Sequence, residues 1–497
     1  MRKQNTFIVW TILSIGLLMK AGCAEKPGEK SASKPNLVLL FSVDTLRADH
    51  LSCYGYERPT TPFIDSFASR AVLFKNAITQ GAVTAPAHMS IFTSLFPVVH
   101  QVDNPNPFNE DEAISRLADD IPTWAQLLEE NGWVAHGLHG GGPVSSQFGF
   151  DRGFETYRDA FFFAFHVDYY RPEREIATIR KLVKASMEEQ RPLFLFLHHY
   201  LCHDPYIKGP PEFNQRFLDE PVAGLPLTRD DLKRYENGAI NEESFWDNID
   251  LDNPDHLRHL IALYDGSILY TDHIFRQVIE VLQQEGIYEQ SLIILTADHG
   301  EEFNEHGGYR HWKLFRENLH VPLIVKFPGK EFSGREIVRT VRTIDLLPSI
   351  LDYLGLPLPP HIQGVSFLPL LSGTGSYDPP LVSQARDILS PEDVHLRESV
   401  RFMEDGYVYS NQLSAGLWEN SLSEGQPEWL FEIAADPREQ VNLIAEKPEI
   451  AARMRSRADE ILQEHRALRD HLGLTPGETT APGEDLHRQL KSLGYLQ

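Results

Sequence analysis

Residues 37–44 read LVLLFSVD and residues 292–300 read LIILTADHG. Each is an apolar run, interrupted only by a small hydroxyl residue (Ser42 or Thr296), that stops at a carboxylate. A strand with one wet face alternates apolar and polar residues. A run that is apolar at every position must be covered on both faces, as in a parallel sheet sandwiched between helices. Ligands of such sheets bind beyond the carboxyl ends of the strands. The two runs therefore deliver Asp44, Asp298 and His299 to one crevice.

The surrounding chain keeps the same alternation. Thr61 and Pro62 open a helix through Ala71, with Ile64, Phe67, Ala68 and Ala71 on one face. Thr123 to Glu130 is helical and closes near Gly132. Strands follow at Trp133 to Leu138 and at Leu193 to Leu197 (LFLFL). A helix runs from Ile268 to Leu282 and stops at Gly286, and a further strand spans Leu323 to Phe327. Strands alternating with helices give the fold class: α/β, with a mostly parallel central sheet flanked by helices. Lys208 to Asp255 is acidic and weakly periodic, and reads as a loop-rich insertion. After about Ser372 the texture changes. Tyr407 to Tyr409 and Trp429 to Ile433 predict a small antiparallel sheet, and Ile450 to Leu472 a long amphipathic helix. A spacer from Thr475 to Gly483 and a short helical tail ending Leu493–Gly494–Tyr495 complete a smaller C-terminal α+β subdomain. The expected organisation is 1–23 leader, 24–35 tether, 36–372 catalytic α/β domain and 373–497 C-terminal subdomain.

The leader begins with Arg2 and Lys3 and continues as an apolar run from Phe7 to Met19, shorter than the roughly 20 residues a membrane span needs. It reads as a secretory signal peptide. Ala21–Gly22–Cys23 resembles a bacterial lipobox, which would make Cys23 a lipidated first residue. Lys20 stands where that motif carries an aliphatic residue, so plain secretion and an uncleaved anchor stay open. All three place the body outside the cytosol, in the periplasm or at the cell surface. Residues 24–34 have the composition of a flexible tether. The 497 residues carry 46 Lys and Arg against 71 Asp and Glu, a net charge of −25. Such a surface repels phosphate backbones, so nucleic acid is excluded as a partner. There are three cysteines. Besides Cys23 these are Cys53 and Cys202, and whether they pair is open.

Two Asp and a His at strand ends suit a divalent cation, although each alone could cap a helix. Thr84–Ala85–Pro86–Ala87–His88 starts another helix. Its N-terminus favours an anion, and Thr84 would lie beside anion and cation together. A free threonine hydroxyl is a poor nucleophile, and a metal that lowers its pKa changes that. Taken alone, Thr84 reads as a helix cap. After the LFLFL strand come His198, His199 and His203 in HHYLCHDPY, candidates for protonating a leaving oxygen or holding an anionic one.

These stretches together resemble the sulfatase family of the alkaline-phosphatase-like superfamily. Asn36 to Arg47 with Cys53–Tyr54–Gly55 is similar to the family's opening. Thr84 to Pro97 (TAPAHMSIFTSLFP) resembles its nucleophile signature, C-x-P-S-R with the A-x-L-x-T-G-x-x-P tail. His203–Asp204–Pro205–Tyr206 resembles H-x-P-Y. Tyr264–Asp265–Gly266, Thr296 to Glu301, Glu305–His306–Gly307, Val321 to Ile324 and Leu430 to Leu443 continue the match in order. The departures are specific. Thr84 replaces the cysteine that becomes formylglycine. Ala87 and His88 replace the signature Ser and Arg. Thr45 replaces a second Asp, and His299 an Asn. His136 and His139 lie where a lysine is usual.

The resemblance implies a sulfuric ester hydrolase whose metal shell is Asp44, Thr84, Asp298 and His299. That shell is closer to the phosphatase-like branch, which uses a hydroxyl nucleophile with zinc or manganese. Calcium prefers six to eight oxygen ligands and suits a nitrogen-containing set less well. The expected catalytic residues are Thr84, His203, His88 and His311, with His198 and Lys313 binding substrate and one divalent ion bound. The substrate would be a small-molecule or glycan sulfate or phosphate ester. Hydrolysis of phosphomonoesters, phosphodiesters or phosphonates, or transfer through the same intermediate, is the alternative. A surface binding protein without turnover is the alternative of another class.

Overall fold

The computed structural model describes residues 34–104, 114–159, 172–219, 222, 225, 249–387, 397–412, 428–474 and 479–493. The leader, Cys23, most of the tether, the 226–248 part of the insertion and Gly494–Tyr495 lie outside the described residues.

A nine-stranded sheet forms the centre. Its strands are β1 (Leu37–Val43), β2 (Val72–Ile78), β3 (Val134–His139), β4 (Thr156–Asp159), β5 (Leu193–His199), β6 (Ser291–Ala297), β7 (His320–Lys326), β8 (Arg335–Ile337) and β9 (Val341–Arg342). The order is β8-β2-β7-β6-β1-β5-β3-β4, with β9 also on β2. Every pairing is parallel except those of β7, which runs antiparallel to β2 and β6. β1 lies at the middle, and all seven of its residues are buried. Burying a Leu, Val or Phe side chain contributes about 1.5–3 kcal/mol. Leu39→Ala, deep in this strand, is expected to cost about 2–5 kcal/mol.

Register sets the site. Val43 pairs with His199 on one side and Ala297 on the other. The next residues, Asp44 and Asp298, therefore leave the sheet at the same level. Ser42 pairs with His198, so both side chains point to one face.

Eight helices matter here: α1 (Pro62–Ala68), α2 (Thr84–Thr93), α3 (Trp124–Glu129), α4 (Glu173–Glu189), α5 (Pro254–Gln284), α6 (Leu346–Leu354), α7 (Pro448–His471) and α8 (Glu484–Ser492). α3 begins at a Thr123–Gln126 capping box. α5 is 31 residues long, with Asn253 accepting from Asp255 N–H and Pro254 at its first position. The periodicity locates only its second half, because His259, Tyr264, Asp265 and Ser267 are also buried and interrupt the apolar stripe. β2 escapes the pattern because Lys75 and Asn76 interrupt it.

The second sheet is antiparallel: β10 (Leu381–Asp387), β11 (Arg397–Glu404), β12 (Tyr407–Ser410) and β13 (Trp429–Glu432). α7 covers it with Ala451, Met454, Ala458, Ile461 and Leu462, in one cluster with Phe96, Val98 and Ile344. The closing segment returns to the first sheet's core. Thr479–Thr480 pairs with Ile114–Ser115, and Leu486, Leu490 and Leu493 join the main hydrophobic cluster. Cys53 and Cys202 are free thiols. Among the described residues, no helix is long and apolar enough to cross a membrane.

Candidate active site

Where β1 ends, the chain turns sharply. Thr45 adopts a left-handed φ of 57°, uncommon for a β-branched residue. The turn is tied down: Thr45 Oγ1 donates to Cys202 O at 2.7 Å, and Tyr264 Oη donates to Thr45 O at 2.6 Å. This fixes Asp44, which is fully buried.

α2 starts at Thr84, and its N-cap is Val83. Thr84 Oγ1 does not cap the helix. It donates to Asp44 Oδ2 at 3.1 Å and lies 3.3 Å from His299 Nε2. The imidazole of His299 is oriented by Nδ1–H donating to Gly300 O at 2.9 Å, which leaves the Nε2 lone pair facing Thr84 and Asp298 Oδ2, 3.4 Å away. His299 N–H donates to Asp298 Oδ1 at 2.9 Å. Asp44, Thr84, Asp298 and His299 are thus brought together, all without exposure.

The electrostatics of this cluster call for a positive partner. Burial works against the Asp44 charge, yet the surrounding imidazoles of His198, His299 and His203 hold its carboxyl far below the usual range. Burial and then the charge of Asp44 push Asp298 well above it. Two buried carboxylates side by side cannot both ionise without a positive partner. Burial lowers His299 to about 4, so its ring is neutral and able to ligate. Asp44 Oδ1 and Asp298 Oδ2 are buried with no hydrogen-bond partner, which is costly unless something else meets them. Asp44, Asp298 and His299 bring ligand atoms within 4.8 Å of one another. The residues fit a divalent ion.

The other expected residues divide. His88 sits one turn along α2. Its Nε2 is 2.9 Å from Ser42 Oγ, and its Nδ1 is 3.1 Å from Thr84 O and 3.3 Å from Asp298 Oδ2. His198 Nε2 is 3.7 Å from Asp44 Oδ2. His203 Nδ1 is 2.6 Å from Asp204 Oδ1. Burial disfavours its charge, but Asp204 outweighs burial and raises its pKa above the ordinary histidine value. His311 stacks against His299 with ring centroids 4.3 Å apart and lies 5.3 Å from His203. Burial lowers it to about 3. Lys313 sits elsewhere: Nζ is 3.3 Å from Glu302 Oε2 and donates to His306 O at 3.2 Å, within the neighbouring Glu302–His306–Glu317 group.

Sequence reasoning passed over three supporting groups. Glu301 Oε1 is 3.1 Å from His311 Nδ1 and fixes that ring. Arg310 Nη2 is 3.1 Å from Asp204 Oδ2. Ser42 orients His88. Each adjoins a residue that the motifs do single out, in DHGE, in YRH or in the strand before Asp44, and that adjacency was the available signal.

Comparison with known proteins gives the family and the fold. A family model described as Sulfatase matches residues 35–356. The chain is 23% identical over 427 residues to arylsulfatase K of Xenopus laevis, covering 78% of this chain and 75% of that protein. It is 26% identical over 479 residues to the Δ4,5-hexuronate-2-O-sulfatase of Bacteroides thetaiotaomicron, covering 89% of each. The structure is similar to that of the phosphonate monoester hydrolase of Agrobacterium radiobacter, with a TM-score of 0.66 at 21% identity, covering 88% of this chain and 96% of that one.

Proposed function

The chain belongs to the sulfatase family, and from that premise we propose that it is an exported, metal-dependent hydrolase of sulfuric esters whose nucleophile is Thr84. The observation that carries this reading is the position of Thr84 Oγ1, at the head of α2 and within hydrogen-bond reach of Asp44 and His299. Asp44, Asp298 and His299 would hold the ion, with Thr84 as the fourth donor. The nitrogen in this set favours zinc or manganese over calcium. When bound, such an ion lowers the pKa of a neighbouring hydroxyl and polarises an ester oxygen.

The chain's own residues supply the rest. Thr84 Oγ1 passes its proton to Asp44 Oδ2, to which it already donates, and attacks sulfur as the ester's organic oxygen leaves. His203, kept charged by Asp204, donates the proton that this oxygen needs. His203, neutral after the first step, takes a proton from the water that attacks the sulfur of the Thr84 ester; sulfate leaves and the Thr84 oxygen regains its proton from Asp44. His311, His88 and His198 line the reacting centre, while Lys313 pairs with Glu302 in the adjoining cluster. A glycan substrate is supported by relatives such as the hexuronate sulfatase. The Lys208–Asp255 insertion and the 373–497 subdomain are the segments left to select its organic part.

One feature favours a second reading. A threonine ester lacks the hydrate hydroxyl through which formylglycine can expel sulfate, so water must strike the central atom directly. That chemistry suits phosphorus equally, and the fold likeness to a phosphonate monoester hydrolase is in keeping with it. The test is turnover by the chain lacking residues 1–23, loaded with zinc or manganese, on aryl sulfate, aryl phosphate, aryl phosphate diester and aryl phosphonate. Preference for the sulfate supports the first reading and preference for a phosphorus ester the second. A protein that never takes up a divalent ion overturns both.

A further inference from the structure

Beside the first group, and sharing Asp298 with it, is a second convergence of ligand atoms to which the mechanism above assigns no step. His88, His198 and Asp298 bring a nitrogen, a nitrogen and a carboxylate oxygen within 4.8 Å of one another, all fully buried. The His88 and His198 rings meet edge to face with centroids 4.6 Å apart. Both ring nitrogens of His198 are buried without a hydrogen-bond partner. A buried imidazole in that state is costly, and Asp44 Oδ2, 3.7 Å from Nε2, stands too far away for a hydrogen bond.

The atoms that surround this point are acceptors. His88 Nδ1 faces Asp298 Oδ2 and Thr84 O. Ser42 Oγ, 2.9 Å from His88 Nε2, accepts a proton as readily as it gives one. When Ser42 accepts from Nε2–H, the Nδ1 lone pair joins the carboxylate oxygen, the carbonyl and His198 in facing one spot. Two neutral imidazoles and a carboxylate are a three-ligand set that leaves further positions open, a donor chemistry suited to zinc.

We propose that the pocket holds a second divalent ion, zinc-like in preference, on His88, His198 and Asp298, with Asp298 shared with the first site. The inference rests on the first site being a metal site. Two divalent ions bring four positive charges against the two carboxylates, Asp44 and Asp298. The second ion therefore binds more weakly than the first and tightens when an anion enters the crevice.

The test is equilibrium titration of the chelator-stripped, full-length chain with zinc alone and with zinc plus inorganic sulfate. Bound metal is measured by elemental analysis, and cobalt(II) spectra check that each equivalent has its own coordination. Two equivalents in the wild type, one in His198→Gln and in His88→Gln, and a second step tightened at least tenfold by sulfate are the expected results. His299→Gln, with both imidazoles of the new pocket intact, weakens the first step instead. Melting of each variant shows that it is folded. One equivalent in the wild type, or two in both His198→Gln and His88→Gln, overturns the second ion and leaves the first standing. No uptake at all overturns the metal reading itself.

Discussion

Thr84→Ala separates chemistry from folding. The substitution removes one buried hydroxyl and leaves the backbone of α2 unchanged, because Val83 and not Thr84 is the N-cap. What the fold loses is the donor to Asp44 Oδ2, about 1–3 kcal/mol for a buried acceptor left unmet. A loaded metal meets the same carboxylate, so the holoprotein loses less than the apoprotein. What the reaction loses is the atom that forms the new bond. Removing a nucleophile costs roughly 10⁴–10⁶ in kcat, or about 5–8 kcal/mol of barrier. Thr84→Ser keeps the hydroxyl at the helix start and gives up one methyl, so it stays within about tenfold, near 1.4 kcal/mol. The assay is kcat/KM on the best ester of the panel for wild type, Thr84→Ala and Thr84→Ser. It is joined by intact mass of acid-quenched enzyme, in which wild type and Thr84→Ser carry the sulfuryl or phosphoryl adduct and Thr84→Ala does not. Thr84→Ala retaining more than about a tenth of wild-type activity would refute Thr84 as nucleophile.

Asp204 raises the pKa of His203, and the role assigned to His203 needs the proton. Activity therefore falls as pH rises through the folded-state pKa, and Asp204→Asn, which lowers that pKa, moves the alkaline limb of the kcat/KM profile to lower pH. An unmoved limb assigns the proton to another group. Metal bound at a hundred times its Kd adds about 2.7 kcal/mol to the native state. The melting temperature of the wild type should drop by several degrees on chelation, and Asp298→Asn should lose most of that difference. A Cβ at Gly300 would overlap the backbone oxygen of Glu317, and Gly300→Ala is expected to cost about 1–3 kcal/mol, read from the urea midpoint. Full stability there would mean that the loop carrying His299 gives way easily.

The sequence by itself determined the layer and the level of the site. Runs such as LVLLFSV and LIILTA can only be buried on both faces, and a carboxylate following each must emerge where the strands end. The helix start at Thr84–His88, the HHYLCHDPY stretch and the order of motifs were legible for the same local reason. Only the tertiary structure decided which neighbours these residues meet. No spacing along the chain shows that Thr84 Oγ1 turns to Asp44 rather than to its own helix, since they are 40 residues apart. Nor does it show that Lys313 spends its charge on Glu302 while Glu301, one residue earlier, orients His311. The tail was read as part of a separate subdomain, but Leu486, Leu490 and Leu493 find their apolar partners against the first sheet. Local pattern states how much surface a segment must bury. The partner is chosen by register, by the length of the intervening chain and by the charges already buried there, all of which exist only once the sheet has assembled.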